Sequence, residues 1–166
     1  MSPLDWATRP LKKYADFSGR APRAEFWWYT LAVCVLAVVA YIVENALAIG
    51  PVFWLYGPLT LVIVVATFVP SLAVQFRRLH DTDRSGLWLL VLWVPYIPYM
   101  YSLFGMMGSV TGGAAPDMGS GGIVLILGLV VLIAAIVLIV FFASAGTPSP
   151  NKYGDDPYAG GASRAM

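Results

Sequence analysis

Four stretches of this chain, residues 26–43, 52–75, 87–107 and 123–143, contain no charged side chain. Each is close to the roughly 20 residues that a helix rising about 1.5 Å per residue needs to cross a hydrocarbon core. With 59% hydrophobic and only 11% charged residues, and a mean hydropathy of +0.75, a soluble globule is excluded. The expected fold class is an all-α integral membrane protein, a four-transmembrane-helix bundle.

The intervening segments set the expected boundaries. Residues 1–25 are too polar for a cleaved secretory signal and read as an interfacial N-terminal segment. Within it Leu11, Tyr14 and Phe17 recur every third residue, as a turn lying along the membrane surface requires. Gly50 and Pro51 are expected to end the first helix and open the second, with Pro58 and Pro70 as kink points in that longer run. Pro95 and Pro98 each remove a backbone donor from the third run, for which a re-entrant hairpin is the alternative to a full span. The glycine-rich stretch 108–122 reads as a flexible loop, and the fourth run as a lipid-facing or packing helix with Gly128 as its main small residue. Residues 144–166, dense in Pro, Gly and Asp, read as a flexible tail, so the transmembrane domain is expected over 26–143.

Basic residues near helix ends resist translocation, so their distribution predicts orientation. Arg9, Lys12, Lys13, Arg20 and Arg23 precede the first run, Arg77, Arg78 and Arg84 lie between the second and third, and Lys152 and Arg164 are in the tail. With four spans all ten share one face, leaving Glu44 and Asp117 on the other. Both termini are therefore expected in the cytoplasm, and net charge of +1 makes nucleic acid an unexpected partner. Trp27, Trp28, Tyr29 and Trp88 suit the aromatic belt on the inner side, Trp54 and Tyr56 the belt on the outer side.

Most of the polar information sits in GRAPRAEFWW (19–28) and VQFRRLHDTDRSG (74–86), with AGTPSPNKYGDDPY (145–158) after the last run. These three motifs together resemble the YhaH-type family of small bacterial inner-membrane proteins, domain of unknown function 805. The chain departs from the family pattern in a longer connection between the third and fourth runs and a longer glycine-rich tail. The resemblance implies a helical fold and a bacterial inner-membrane location; it implies no activity.

The residues of the central motif support two readings. In the structural one, Arg77 and Arg78 meet the C-terminal dipole of the second helix and the anionic headgroups, Asp81 and Thr82 close an Asx turn, and Asp83 or Ser85 caps the next helix. In the binding one, Arg20, Arg23, Arg77, Arg78 and Arg84 form a forked site for anionic lipid headgroups or a protein partner. Glu25, at a helix start, suits an ion pair with Arg78 or Arg23, and Glu44 reads as a residue snorkelling at the outer boundary.

Other chemistry finds little support. His80, Asp81 and Asp83 are the weak candidates for a metal site, but three nearby arginines oppose a bound cation. One cysteine, Cys34, and one histidine exclude thiolate and two-histidine metal sites, and neither GxxxxGK[ST], GxGxxG nor CxxC occurs. The expected function is a non-enzymatic binding or scaffold module that needs no cofactor, with membrane lipids as partners and a protein partner or a second copy as further partners. The alternatives are a small transporter or channel, and a metal-dependent enzyme acting on headgroups through His80, Asp81 and Asp83.

Overall fold

The computed structural model describes residues 1–51, 56–113 and 118–158. Among them are five α-helices and one short 3-10 turn: α1 (Pro3–Lys12), α2 (Arg23–Ala46), α3 (Pro58–Asp81), the turn Gly86–Leu89, α4 (Leu90–Thr111) and α5 (Met118–Ala143). Four of these helical segments are long and apolar enough to cross a membrane, and α1 is not. The chain is thus an all-α membrane protein with four candidate spans. It divides into two compact units, one of residues 1–85 and 145–158, the other of residues 86–113 and 118–144.

In the first unit α2 and α3 form an antiparallel hairpin, because Glu25 near the start of α2 meets Arg77 near the end of α3, while Glu44 near the end of α2 meets Thr60 near the start of α3. The span expected from residue 52 instead begins at Pro58, which fits the first turn of a helix because its missing N–H has no intrahelical acceptor there. The helix then runs on through the FRRLHD sequence to Asp81, six residues past the apolar run, because its polar end is buried against other parts of the unit. Gly50 and Pro51 do not open α3.

Glu44 does not snorkel. Its carboxylate is buried and accepts hydrogen bonds from the Leu59 and Thr60 amides at 2.5 and 3.0 Å and from the Thr60 hydroxyl at 2.6 Å. Those amides belong to the first turn of α3, whose free N–H groups need acceptors, so a side chain from α2 supplies the cap that Gly57 cannot. A Cβ on Gly57 would lie 2.6 Å from the Glu44 carboxylate oxygens, which explains glycine at that position.

Helix α1 begins with a capping box in which Ser2 and Asp5 satisfy each other's backbone N–H groups. It lies earlier in the chain than the amphipathic turn expected around Leu11, Tyr14 and Phe17. Leu11 is exposed, but Tyr14 and Phe17 reach α3, with the Phe17 ring edge-on to Phe76 at 5.4 Å. The Tyr14 hydroxyl donates to the Ala66 carbonyl at 2.8 Å. That carbonyl precedes Pro70 by four residues, and Pro70 has no N–H to give it. Tyr29 supports the same stretch through the Thr67 carbonyl and the Ser71 hydroxyl, each at 3.3 Å.

In the second unit α4 is one continuous helix through Pro95 and Pro98, not a re-entrant hairpin. Both α4 and α5 extend into the stretch expected as a loop, to Thr111 from one side and from Met118 on the other. Trp88 meets Phe141 edge-on at 5.2 Å and Tyr99 lies over Gly128, where an added Cβ would come 3.2 Å from the ring. The two helices therefore run antiparallel with Gly128 as a seat for an aromatic ring. The roles expected for Trp54, Asp117 and Arg164 fall outside the described residues.

Candidate functional site

The polar residues of the first unit gather at the end where α2 starts and α3 stops. The end of α3 is a Schellman motif: Asp83 donates its amide to the His80 carbonyl at 3.0 Å and Arg84 donates to the Leu79 carbonyl at 2.9 Å. Asp83 carries the left-handed conformation this requires, with φ of 56°, a position that Asp tolerates better than most residues. It therefore ends α3. Helix α4 has Leu89 at its N-cap and no side-chain cap there.

Two carboxylates organise the arginines. Asp81 is fully buried between Arg20, whose Nε donates to it at 3.0 Å, and Arg78, which also pairs with it directly. Glu25, equally buried, lies 3.0 Å from Arg77 and 3.4 Å from Arg9, not against Arg78 or Arg23. Each carboxylate thus serves two guanidinium groups. Arg77 Nε and Nη2 and Glu25 Oε1 are buried without an aligned hydrogen-bond partner among the described residues, so that pair is held by proximity of charge. Arg77 and Arg78 are only 1% and 0% exposed, so neither guanidinium group lies on the outer surface of the unit. Buried charges of this kind must be paired, and both are.

The segment 145–158 is docked rather than flexible. Arg20 donates to the Ser149 carbonyl at 2.8 Å and to the Thr147 carbonyl at 2.6 Å. The last carbonyls of α3 are served in turn: Thr147 donates its amide to Asp81 at 2.9 Å, and Asn151 its side-chain NH₂ to His80 at 2.9 Å. The His80 ring stacks on Tyr153 at 3.8 Å with the planes 4° apart, and its Nδ1 lies 3.2 Å from the Gly19 carbonyl. Lys152 lies 3.8 Å from Asp83 across exposed surface, a contact of little energetic weight. Gly146 passes so close that an added Cβ would sit 2.7 Å from Asp81 Cγ and 2.9 Å from its Oδ1.

Composition alone had pointed to a free tail because the segment buries almost no apolar surface; its order comes from hydrogen bonds to groups that α3 and Arg20 leave open. The signal that could have found it is the Asx geometry encoded at Asn151 and Asp156, whose side-chain oxygens each accept the amide two residues on, at 2.9 Å.

Arg20, Arg23 and Arg78 line a small cavity of about 70 Å³ together with Asp81, Asp156, Tyr158 and residues 145–147. Arg77 and Arg84 do not line it. Burial, with the Asp81 charge adding to it, holds the Tyr158 phenol above its ordinary range, so it stays a hydrogen-bond donor. The candidate metal ligands do not converge: His80 faces Tyr153, Asp81 faces two arginines, and Asp83 faces Lys152. No cluster of three metal-ligating side chains occurs among the described residues.

Fold and site together define a polytopic helical membrane protein with an arginine-rich end closed by its own C-terminal segment. The chain belongs to the family described as Protein of unknown function (DUF805), whose model matches residues 14–155. It is 32% identical to inner membrane protein YhaI of Escherichia coli strain K12 over 95% of this chain and 98% of that protein. Inner membrane protein YhaH of the same strain is 31% identical over 93% of this chain and 97% of that protein. The uncharacterized protein YiiR is 30% identical over 85% of each chain. No solved structure matches.

Proposed function

We propose that this protein is a non-enzymatic binding module of the bacterial inner membrane, whose arginine-rich end faces the cytoplasm and holds an anionic lipid headgroup. One observation carries the reading: guanidinium groups from the N-terminal loop, the start of α2 and the last turn of α3 line one cavity at the end of two apolar helices. Arginine forks match phosphate oxygens in pairs, and basic pockets between membrane helices on the cytoplasmic side are a recurrent headgroup site. Orientation follows from charge. Every basic residue described, from Arg9 to Lys152, lies in the first unit, and the positive-inside rule then puts its loop, α3 end and C-terminal segment in the cytoplasm.

Native mass spectrometry of the full chain released from mild detergent tests this. Arg77 and Arg78 are unsuitable probes because each is buried on a carboxylate, whereas Arg23 is only partly buried and lines the cavity. The wild type is expected to retain anionic lipid and Arg23→Gln to lose most of it. A wild type that emerges bare, with a second protein chain attached instead, would replace lipid by a protein partner.

A further inference from the structure

Helix α1 has three sides. Pro10 is buried and Trp6 partly so, on the side that packs against α2 and α3. Leu4 and Leu11, 76% and 47% exposed, stand about 20° apart round the helix at 3.6 residues per turn. Asp5 and Lys12, also exposed, form a second line about 100° away from the first. The exposed surface of α1 is thus divided between an apolar line and a polar one. The ion pair of Arg9 with Glu25 and the burial of Pro10 fix the rotation at which the helix presents them.

The neighbour of α1 says what the apolar line meets. Helix α2 is a candidate span whose own outer side carries Trp27 and Leu31, 42% and 52% exposed. Apolar surface of that kind on a spanning helix faces acyl chains, so α1 is packed on a helix at its point of entry into a bilayer. A helix lying flat at that level needs an apolar line to sink about 5–10 Å into the boundary between headgroups and acyl chains, and a cation beside it at the phosphates. Leu4 and Leu11 supply the first and Lys12 the second.

We propose that α1 is an interfacial helix whose Leu4 and Leu11 side chains are inserted in the lipid leaflet at the end where α2 begins, with Lys12 at its anionic phosphates. The partner is the bilayer surface itself, and the inference stands apart from the headgroup reading of the cavity, which uses no residue of α1. The line expected from the sequence was Leu11 with Tyr14 and Phe17; the last two reach α3, and Leu4 takes their place.

The test uses the full chain carrying Cys34→Ala, so that one added cysteine takes a nitroxide label, in vesicles of phosphatidylethanolamine and phosphatidylglycerol. Leu4→Cys, Leu11→Cys and Lys12→Cys are labelled in turn. Collisions with oxygen and with a water-soluble nickel chelate, present on both sides of the membrane, give the depth of each label. Labels at 4 and 11 are expected about 5–10 Å below the phosphates, and the label at 12 level with them or above.

Labels at 4 and 11 as open to the nickel chelate as the one at 12 overturn the proposal, since α1 then faces water. Labels at 4 and 11 shielded from oxygen and nickel alike overturn it too, by showing the line covered with protein. Spin–spin broadening at 4 and 11 that vanishes in nanodiscs holding one copy would name that protein as a second copy of this chain.

Discussion

Glu44 and Thr60 join the far ends of α2 and α3: one carboxylate oxygen accepts the Thr60 amide at 3.0 Å and the other its hydroxyl at 2.6 Å. The pair is a helix cap delivered by a neighbouring helix, and because both side chains are buried an uncapped amide there would have few substitute acceptors. Glu44→Gln keeps one carbonyl oxygen for the amides and is expected to lower the midpoint of thermal unfolding in detergent modestly. Glu44→Ala and Gly57→Leu should lower it more, the first by removing the acceptor and the second by occupying its place. Equal midpoints for all three variants and the wild type would show the cap to be dispensable.

Tyr14 acts at the gap that Pro70 opens. Its hydroxyl serves the Ala66 carbonyl, so Tyr14→Phe should cost about 1 kcal/mol of stability. In a Pro70→Ala background the amide at position 70 becomes available to the same carbonyl, and the cost of Tyr14→Phe should then fall toward zero. A double-mutant cycle of unfolding free energies reads this coupling directly. Additive costs would mean that the hydroxyl and the proline act independently.

The four spans were legible because uncharged runs of bilayer length leave few alternatives, and the continuity of α4 through two prolines changes neither their number nor their order. The end of α3 was not legible from hydropathy, since Arg77, Arg78 and Asp81 read as interfacial whether they face water or one another. Only tertiary placement decides that, and it buries all three. Glu44 was misplaced for the same reason: a lone acid beside an apolar run looks like a boundary residue until the start of α3 is seen to need an acceptor. The site residues on the N-terminal loop and α3 were visible as a cluster, but their partition into an Asp81 pair and a Glu25 pair was not. Asp156 and Tyr158 were hidden because a Pro- and Gly-rich segment without apolar period gives no packing signal.

Asp81 is buried against two arginines at once, so removing its charge should be more damaging than removing either arginine. Asp81→Asn leaves Arg20 and Arg78 buried with a surplus of positive charge and is expected to cost about 3–5 kcal/mol. Replacing Asp81 and Arg78 together by Asn and Met should recover part of that loss, because one of the two stranded charges is then gone. Unfolding in detergent followed by the fluorescence of the tryptophans measures both. A double variant less stable than Asp81→Asn alone would argue that Arg78 contributes chiefly through contacts other than the ion pair.

Gly146 is the position where the C-terminal segment can be released without touching an arginine. Any side chain there would collide with the Asp81 carboxylate, so Gly146→Ala should lift the segment off the end of α3. The first hydrogen bond to go is the one from the Thr147 amide to the Asp81 carbonyl, 2.9 Å in the docked form. Amide exchange at Thr147 should accelerate about tenfold or more, with exchange in the middle of α2 and α3 unchanged, since local opening leaves the apolar hairpin intact. Proteolytic cleavage between residues 147 and 158 should appear in the variant before it appears in the wild type. Because residues 145–147, Asp156 and Tyr158 form much of the cavity wall, the same variant should release bound lipid faster. Unchanged exchange at Thr147 would mean that the Asp81 side chain yields to the new methyl group and that the segment stays docked on the end of α3.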